Sequence, residues 1–300
     1  MGDKSGIEWT DATWNPIRGC SIVSSGCRSC YAMKQAHRFS GKGQPYEGLT
    51  KLTKGGPVWT GKVRLVPEAL DQPLRWRKPR RVFVNSMSDL FHEDVPFTFI
   101  AAVFGVMGCA CDHTFQVLTK RPQRMKEFMD WINIQQPLHP ESGVEILTQD
   151  IACDHADEVF ISQGMPVWDR ERLLPSVSSS WPPPNVWLGV SVEDQPTADE
   201  RIPLLLQTPA AVRFLSVEPL LGPVDLTSLA QPGPKFINGR PAITIDALYC
   251  PVRVGANNVH RNYRLGNHRR RIGPAGTADA PGLGAVTARS VCRGWSSIFL

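Results

Sequence analysis

The chain lacks a long hydrophobic run. Of its 300 residues 42% are hydrophobic, but no stretch reaches the roughly 20 apolar residues that a transmembrane helix needs. Residues 1–10 are polar and acidic and lack the basic-then-apolar layout of a signal peptide. We therefore expect a cytoplasmic protein that binds no membrane, with enough apolar residues for one large α/β domain or two smaller ones.

Acidic residues are scarce in the last part of the chain. Residues 235–300 contain ten Lys/Arg and two Asp/Glu, whereas residues 1–234 contain 23 Lys/Arg and 26 Asp/Glu. The overall net charge of +5 is therefore assigned to the tail. On this count, basic charge indicates little about what the first 234 residues bind.

A second pair of cysteines with zinc-knuckle spacing is also missing, because Cys109 and Cys111 are separated by one residue. The chain does contain one C-x6-C-x2-C pattern, formed by Cys20, Cys27 and Cys30. Three thiolates in one loop can bind a metal or a cluster and leave a coordination position open for chemistry. Three interpretations stay open at this point: an iron–sulfur site, a zinc site and structural thiols.

The zinc interpretation requires a fourth ligand from elsewhere in the chain. The candidates are His37, Cys109, Cys111 and Cys153.

Apolar strands alternate with helices along the chain, which predicts βα units and a parallel sheet. The predicted strands end in polar residues, and the carboxyl ends of parallel strands form the active site in such folds. The polar residues at these ends are Asn85, Ser86, Ser88, Asp89, Thr119, Lys120, Ser191, Glu193, Ser216 and Glu218. Simpler interpretations also exist: Asp89 as a helix cap, and Lys120 with Arg121 as a solvated turn.

The alternation stops between about residues 135 and 184, where Pro137, Pro140 and Pro182–Pro184 occur. We interpret this stretch as an insertion with one helix of its own. The pattern assigns it no role.

Several motifs together resemble a known family. They are GIEWT at 6–10, TWNP at 13–16, GCRSCYA at 26–32, SMSDLF at 86–91, LTKRP at 118–122, WLGVSVE at 187–193 and FLSVEPL at 214–220. In this order, over about residues 4–226, they resemble the phage and prophage three-Cys-motif proteins, a domain of unknown function. That family is distantly similar to radical S-adenosylmethionine (SAM) enzymes of the spore photoproduct lyase type.

The resemblance implies a partial, TIM-barrel-like (β/α) barrel that is incomplete at its C-terminus, within residues 1–234. It implies a [4Fe–4S] cluster on Cys20, Cys27 and Cys30, with SAM at the open iron. The implied SAM-binding residues are Asn85, Ser86, Ser88 and Asp89 for the methionine amino group, Lys120 for its carboxylate, and Ser191 and Glu193 for the ribose.

The expected partners are a nucleic-acid substrate and a phage-encoded protein. The alternative is a non-catalytic, zinc-stabilised phage protein that binds nucleic acid.

The tail does not fit the resembling family. After about residue 245 Gly, Ala and Arg become frequent and the strand–helix alternation ends. Residues 264–282 can be encoded by codons that, shifted by one nucleotide, give the family's Ile-Asp-Trp-Val, Gly-Gly-Glu-Ser-Gly and Arg-Pro-Met-His-Pro-Asp motifs. We hypothesise that the reading frame slipped between about residues 245 and 264.

The frame-slip hypothesis predicts that residues 235–300 form a disordered tail. It also predicts that the preceding barrel strand has an unpaired edge and that the protein is unstable or inactive. The alternative is a genuine basic tail that binds nucleic acid.

Overall fold

The computed structural model of the chain describes residues 5–7, 9–135, 148–167, 181–226 and 229, and strand backbone at 236–237, 240–241 and 297–299. The strands are β1 (Ala12–Trp14), β2 (Ile17–Arg18), β3 (Thr50–Thr53), β4 (Gly56–Trp59), β5 (Arg64–Leu65), β6 (Arg81–Val84), β7 (Thr114–Thr119), β8 (Val186–Ser191), β9 (Val212–Ser216), β10 (Phe236–Ile237), β11 (Arg240–Pro241) and β12 (Ser297–Phe299). The α-helices are α1 (Tyr31–His37), α2 (Phe97–Cys109), α3 (Pro122–Ile134), α4 (Thr148–Ser162) and α5 (Gln195–Gln207). No helix in these described ranges is long and apolar enough to cross a membrane.

The central sheet contains five parallel strands in the order β1-β6-β7-β8-β9. The strands thus lie in the sheet in the order in which they occur along the chain, as in an arc of a (β/α) barrel. The predicted α/β class and parallel sheet are confirmed. The sheet is open: among the described strands, β1 and β12 form its two edges and do not pair with each other.

The prediction that the last parallel strand would have an unpaired edge is wrong. Strand β12 pairs antiparallel with β9, and Ile298 lies opposite Leu215 in the register. An exposed row of N–H and C=O groups accepts any extended segment that can reach it. The rest of the predicted disordered tail lies outside the described residues, apart from the short β10–β11 hairpin.

One face of the sheet is covered by helices. Alternate strand residues such as Val82 and Val84, Val117 and Leu188 point to this face and are fully buried. Helix α2 is buried all round, from Phe99 to Gly108, because α4 packs on its outer side. Helix α4 therefore adds an outer layer within the stretch where the sequence predicted an insertion with one helix.

Residues 17–65 form a small unit with its own core, which we call the cysteine unit. It begins at β2 and ends at β5, which pair antiparallel, and it contains α1 and the β3–β4 hairpin. Its core is built from Ala32, Met33, Ala36, Tyr46, Leu49 and Trp59. The sequence patterns did not predict this hairpin.

Residues 67–76 do not form a continuous α-helix. The structure has two 3-10 turns there, Pro67–Ala69 and Gln72–Arg75. Pro73 supplies no N–H, so a continuous helix would lose a backbone hydrogen bond and clash at this position.

Candidate functional site

A cavity of about 540 Å³ opens where the parallel strands end. The predicted site residues that line it are Cys20, Cys27, Cys30, Asn85, Ser86, Ser88, Asp89, Lys120 and Ser191. Thr119, Ser216 and Glu218 line it as well. The structure thus brings together the ends of β6, β7, β8 and β9 and the cysteine loop, which the sequence had predicted separately.

The cysteine loop leaves β2 through Gly19, whose φ of 90° lies in the left-handed region that favours glycine. Cys20 follows, Cys27 lies in the 3-10 turn Ser25–Ser29, and Cys30 directly precedes α1. All three are free thiols.

Burial disfavours the thiolate form at this site. Burial raises the pKa of Cys20 to about 12, the negative charge of Asp89 adds to this, and the Arg121 guanidinium opposes it. Burial also raises the pKa of Cys30. A metal centre that binds these sulfurs must therefore displace their protons.

Within the described residues, no three His, Cys, Asp or Glu side chains converge as they would on one metal ion. In a [4Fe–4S] cluster each thiolate binds a different iron, so the ligands surround the cluster rather than meet at one point. The three cysteines lie on the wall of one cavity, where their sulfurs could bind separate irons of such a cluster.

The fourth-ligand candidates lie elsewhere. The His37 ring contacts Thr50 Oγ1 at 3.1 Å. Cys109 Sγ on α2 and Cys153 Sγ on α4 are 3.3 Å apart, and neither these residues nor Cys111 lines the cavity.

Glu193 holds the cysteine loop against the sheet. Its side chain is fully buried, and its carboxylate accepts hydrogen bonds from Ser24 Oγ at 2.6 Å and from the Gly26 backbone N–H at 2.8 Å. A Cβ at residue 26 would overlap this carboxylate, so only glycine allows so close an approach.

Cations behind the loop compensate the charge of Glu193. Lys120 Nζ lies 2.7 Å and the Arg201 guanidinium 3.4 Å from Glu193 Oε1. Burial by itself would raise the pKa of Glu193, but the hydrogen bonds from Lys120, Ser24 and Gly26 outweigh it and lower the pKa to about 2. The predicted ribose-binding carboxylate is thus ionised and bonded to protein donors, and it does not line the cavity.

A second buried ion pair joins β7 to the loop after β6. Arg121 donates to Asp89 Oδ2 at 3.0 Å and to Ser21 Oγ at 2.6 Å, and its NH1 group lies 3.8 Å from Cys20 Sγ. Asp89 also accepts from Thr119 Oγ1 at 2.8 Å. The network fixes Cys20 relative to two strand ends.

Both simpler interpretations of these residues are wrong. Arg121 is 6% exposed and Lys120 is 21% exposed at the side chain, so they do not form a solvated turn. Helix α2 begins at Phe97 with Pro96 as its N-cap, so Asp89 does not cap it.

Asn85 is the least satisfied polar residue of the cavity. It is 2% exposed, and among the described residues neither its Oδ1 nor its Nδ2 atom has a hydrogen-bond partner. Its φ of 59° is uncommon outside glycine, although asparagine tolerates it. A buried amide without a partner costs free energy, so this side chain is suited to a polar ligand in the cavity.

Asn15 has a structural role that its sequence motif does not indicate. Its Oδ1 atom accepts from the Met87 backbone N–H at 3.0 Å and from Ser86 Oγ at 3.2 Å. It therefore shapes the turn that presents Ser86 and Ser88. The quoted TWNP motif was the available signal, but nothing in it indicates this partner.

Part of the cavity wall is apolar. Trp9 lies with its ring centroid 4.8 Å from that of Phe83 and 6.4 Å from that of Phe214, and Trp59 also lines the cavity. By contrast, Trp14 is fully buried in the main core. Of these three tryptophans, Trp9 and Trp59 thus line the cavity, and Trp14 packs in the core.

Comparison with known proteins gives one match. The model of a family described as Protein of unknown function (DUF5131) matches residues 4–258. No curated protein matches the chain. No solved structure matches it either.

Proposed function

We propose, since this chain belongs to the family described as Protein of unknown function (DUF5131), that it is an iron–sulfur enzyme of the radical-SAM kind. In this proposal Cys20, Cys27 and Cys30 hold a [4Fe–4S] cluster and the cavity beside them binds SAM. The observation that supports it most is that the three cysteines and the polar ends of the parallel strands line one cavity.

The cysteine wall fits an iron–sulfur cluster. Three thiols leave one iron without a protein ligand, which is the position that a small-molecule ligand needs. When bound, the cluster and SAM together supply one-electron chemistry that releases methionine and abstracts hydrogen from a substrate.

The polar strand ends fit the methionine portion of SAM. Asn85 offers an unpaired amide, and Ser191 Oγ accepts a hydrogen bond from Lys120 Nζ at 2.6 Å. We assign the amino group to Asn85, Ser86, Ser88 and Asp89, and the carboxylate to Lys120. For the ribose we retain Ser191 and give Glu193 the task of positioning the cysteine loop.

The apolar wall has the task of excluding water. Trp9 and Phe83 present aromatic faces to the same space, and a dry site protects reactive species from side reactions.

Anaerobic reconstitution tests the proposal. The chain, incubated with iron and sulfide, should turn brown and bind about four irons and four sulfides. Reduction in the presence of SAM should then release 5′-deoxyadenosine and methionine. Changing any one of Cys20, Cys27 and Cys30 to Ala should lower the iron content and abolish SAM cleavage, whereas Cys111→Ala, outside the cavity, should do neither.

The zinc alternative predicts the opposite outcome. Colourless protein with one zinc per chain, unchanged by iron and sulfide, would refute the iron–sulfur proposal. The phage association and a phage-encoded partner protein remain predictions from the resemblance.

A further inference from the structure

The cysteine unit is strongly basic. Residues 17–65 contain nine Lys/Arg and one acidic residue, Glu47, for a net charge of +8, while the rest of residues 1–234 contains 14 Lys/Arg and 25 Asp/Glu. The assignment of basic charge to the tail alone is therefore wrong. The summed charge of residues 1–234 hides the difference between the basic cysteine unit and the acidic remainder of this range.

This charge is on the surface. Eight of the nine basic residues are exposed, namely Arg28, Lys34, Arg38, Lys42, Lys51, Lys54, Lys62 and Arg64. Within the described part of the chain none of these eight forms an ion pair with a carboxylate, unlike Arg75, Arg81 and Lys126. Unpaired cations at this density repel one another, so a polyanion that binds them relieves an unfavourable field.

Exposed aromatic residues accompany the cations. Tyr31 is 51% and Phe39 is 50% exposed, at the start of α1 and just beyond its end. Aromatic rings among cations are typical of surfaces that bind single strands, because each base can stack on a ring while the phosphates contact Lys and Arg.

The basic unit also forms one wall of the cavity. Ser29, Cys30, Tyr31 and Trp59 belong to the unit and line the cavity. Tyr31 is both an exposed ring of the unit and part of the cavity wall. A strand that stacks on Tyr31 therefore lies beside the cavity, and a nucleotide turned out of the strand can enter it.

We propose that the exposed face of the cysteine unit binds single-stranded nucleic acid through its phosphates and bases. The further step, that this strand is the substrate, rests on the proposed function. The binding itself does not depend on the cluster.

The experiment measures binding of the full chain to a labelled 12-nucleotide DNA strand, its RNA counterpart and the same DNA as a duplex, at several salt concentrations. Two variants of equal charge change are compared: Lys51→Gln with Lys54→Gln in the cysteine unit, and Arg77→Gln with Lys78→Gln, which precede β6 at the opposite end of the sheet. Loss of two phosphate contacts should reduce affinity roughly 20-fold near 0.1 M salt and the salt slope by about 1.4, whereas the control pair should change little.

A second variant tests the bases. Phe39→Ala keeps the charge and should weaken single-strand binding at least about 5-fold. The DNA and RNA arms identify which strand is preferred, and either preference supports the proposal. Equal losses for both lysine/arginine pairs, stronger binding of the duplex, or an unchanged Phe39→Ala affinity would each overturn it.

Iron content and SAM cleavage are measured on the same samples. A colourless protein that still binds strands through Lys51 and Lys54 refutes the proposed iron–sulfur enzyme but not nucleic-acid binding by the cysteine unit. A brown, SAM-cleaving protein that binds no strand refutes only the nucleic-acid binding.

Discussion

Glu193 is a buried carboxylate whose charge the protein uses to hold its cysteine loop. The loop supplies Ser24 and Gly26 as donors, and β7 is followed by the cation Lys120. The pKa of about 2 lies below the ordinary value of 4.5, which means that folding stabilises the ionised carboxylate. By linkage, this contribution to stability is present above about pH 4.5 and is lost as the pH falls toward 2.

Replacing the Glu193 carboxylate should remove its contribution to the free energy of unfolding and the pH dependence of that contribution. We expect Glu193→Gln to lower the free energy of unfolding by about 3 kcal/mol at pH 7, because buried cations lose their counter-charge. The difference from the unchanged protein should shrink between pH 4.5 and pH 3 in urea unfolding of the metal-free protein. Glu200→Gln, exposed on α5, serves as the control, and parallel pH curves for Glu193→Gln and the unchanged protein would contradict this role.

Asn85 combines a positive φ with an unpaired amide, and two substitutions separate these features. Asn85→Gly keeps the backbone conformation and removes the amide, so stability should change little while SAM affinity of the reconstituted protein falls roughly tenfold. Asn85→Ala should lose the same affinity and, in addition, about 1–2 kcal/mol of stability from the positive φ. Calorimetric titration and thermal unfolding give the two readouts, and full SAM affinity in the glycine variant would exclude Asn85 from binding.

Among the elements, the 3-10 turn Ser25–Ser29 depends on a contact with the loop after β8. Gly26→Ala forces a Cβ into the Glu193 carboxylate, so the turn must shift together with Cys27. We expect a loss of about 1–3 kcal/mol in stability and reduced iron retention after reconstitution.

Gly41 provides the matched control within the cysteine unit. An added Cβ there meets only the Gln44 side chain at 3.6 Å, an ordinary contact. Gly41→Ala should therefore leave stability and iron content unchanged or slightly raised. If both alanine variants retain iron equally, the turn is not fixed by the Glu193 contact.

The elements themselves were largely predictable. The alternation of strands with helices that the sequence predicts is present from β6 to β9, with α2, α3, α4 and α5 between these strands. Local apolar patterns determine such elements. The β3–β4 hairpin was not predicted because its strands are short, because β4 contains Gly56 and Pro57, and because β3 is mostly exposed.

At the scale of the whole molecule, the basic cysteine unit adjoins an acidic remainder of residues 1–234. The parallel sheet ends at the antiparallel strand β12.

The family match extends to residue 258. The frame-slip hypothesis for residues 245–264 stays a prediction, since that stretch lies outside the described residues. Sequencing the gene provides the direct check: the shifted frame should encode the three motifs in order. A gene without them in any frame would show that the tail is native.

The sequence by itself determined the cysteine spacing, the alternation of strands and helices, and the fact that polar residues follow four strands. These are local properties, and parallel strands bring their carboxyl ends to one edge whatever the loops between them. The cavity with its three thiols could therefore be anticipated.

Only the tertiary structure decided which polar residues face the cavity and which hold it together. Gly26 and Glu193 are 167 residues apart, and Ser21 and Arg121 are 100 residues apart. No local pattern pairs such residues, because they meet only when β7 and β8 align beside the cysteine loop. The same alignment brings Glu193 into hydrogen-bond contact with the cysteine loop. It also buries the Asn85 amide near the thiols without a hydrogen-bond partner among the described residues.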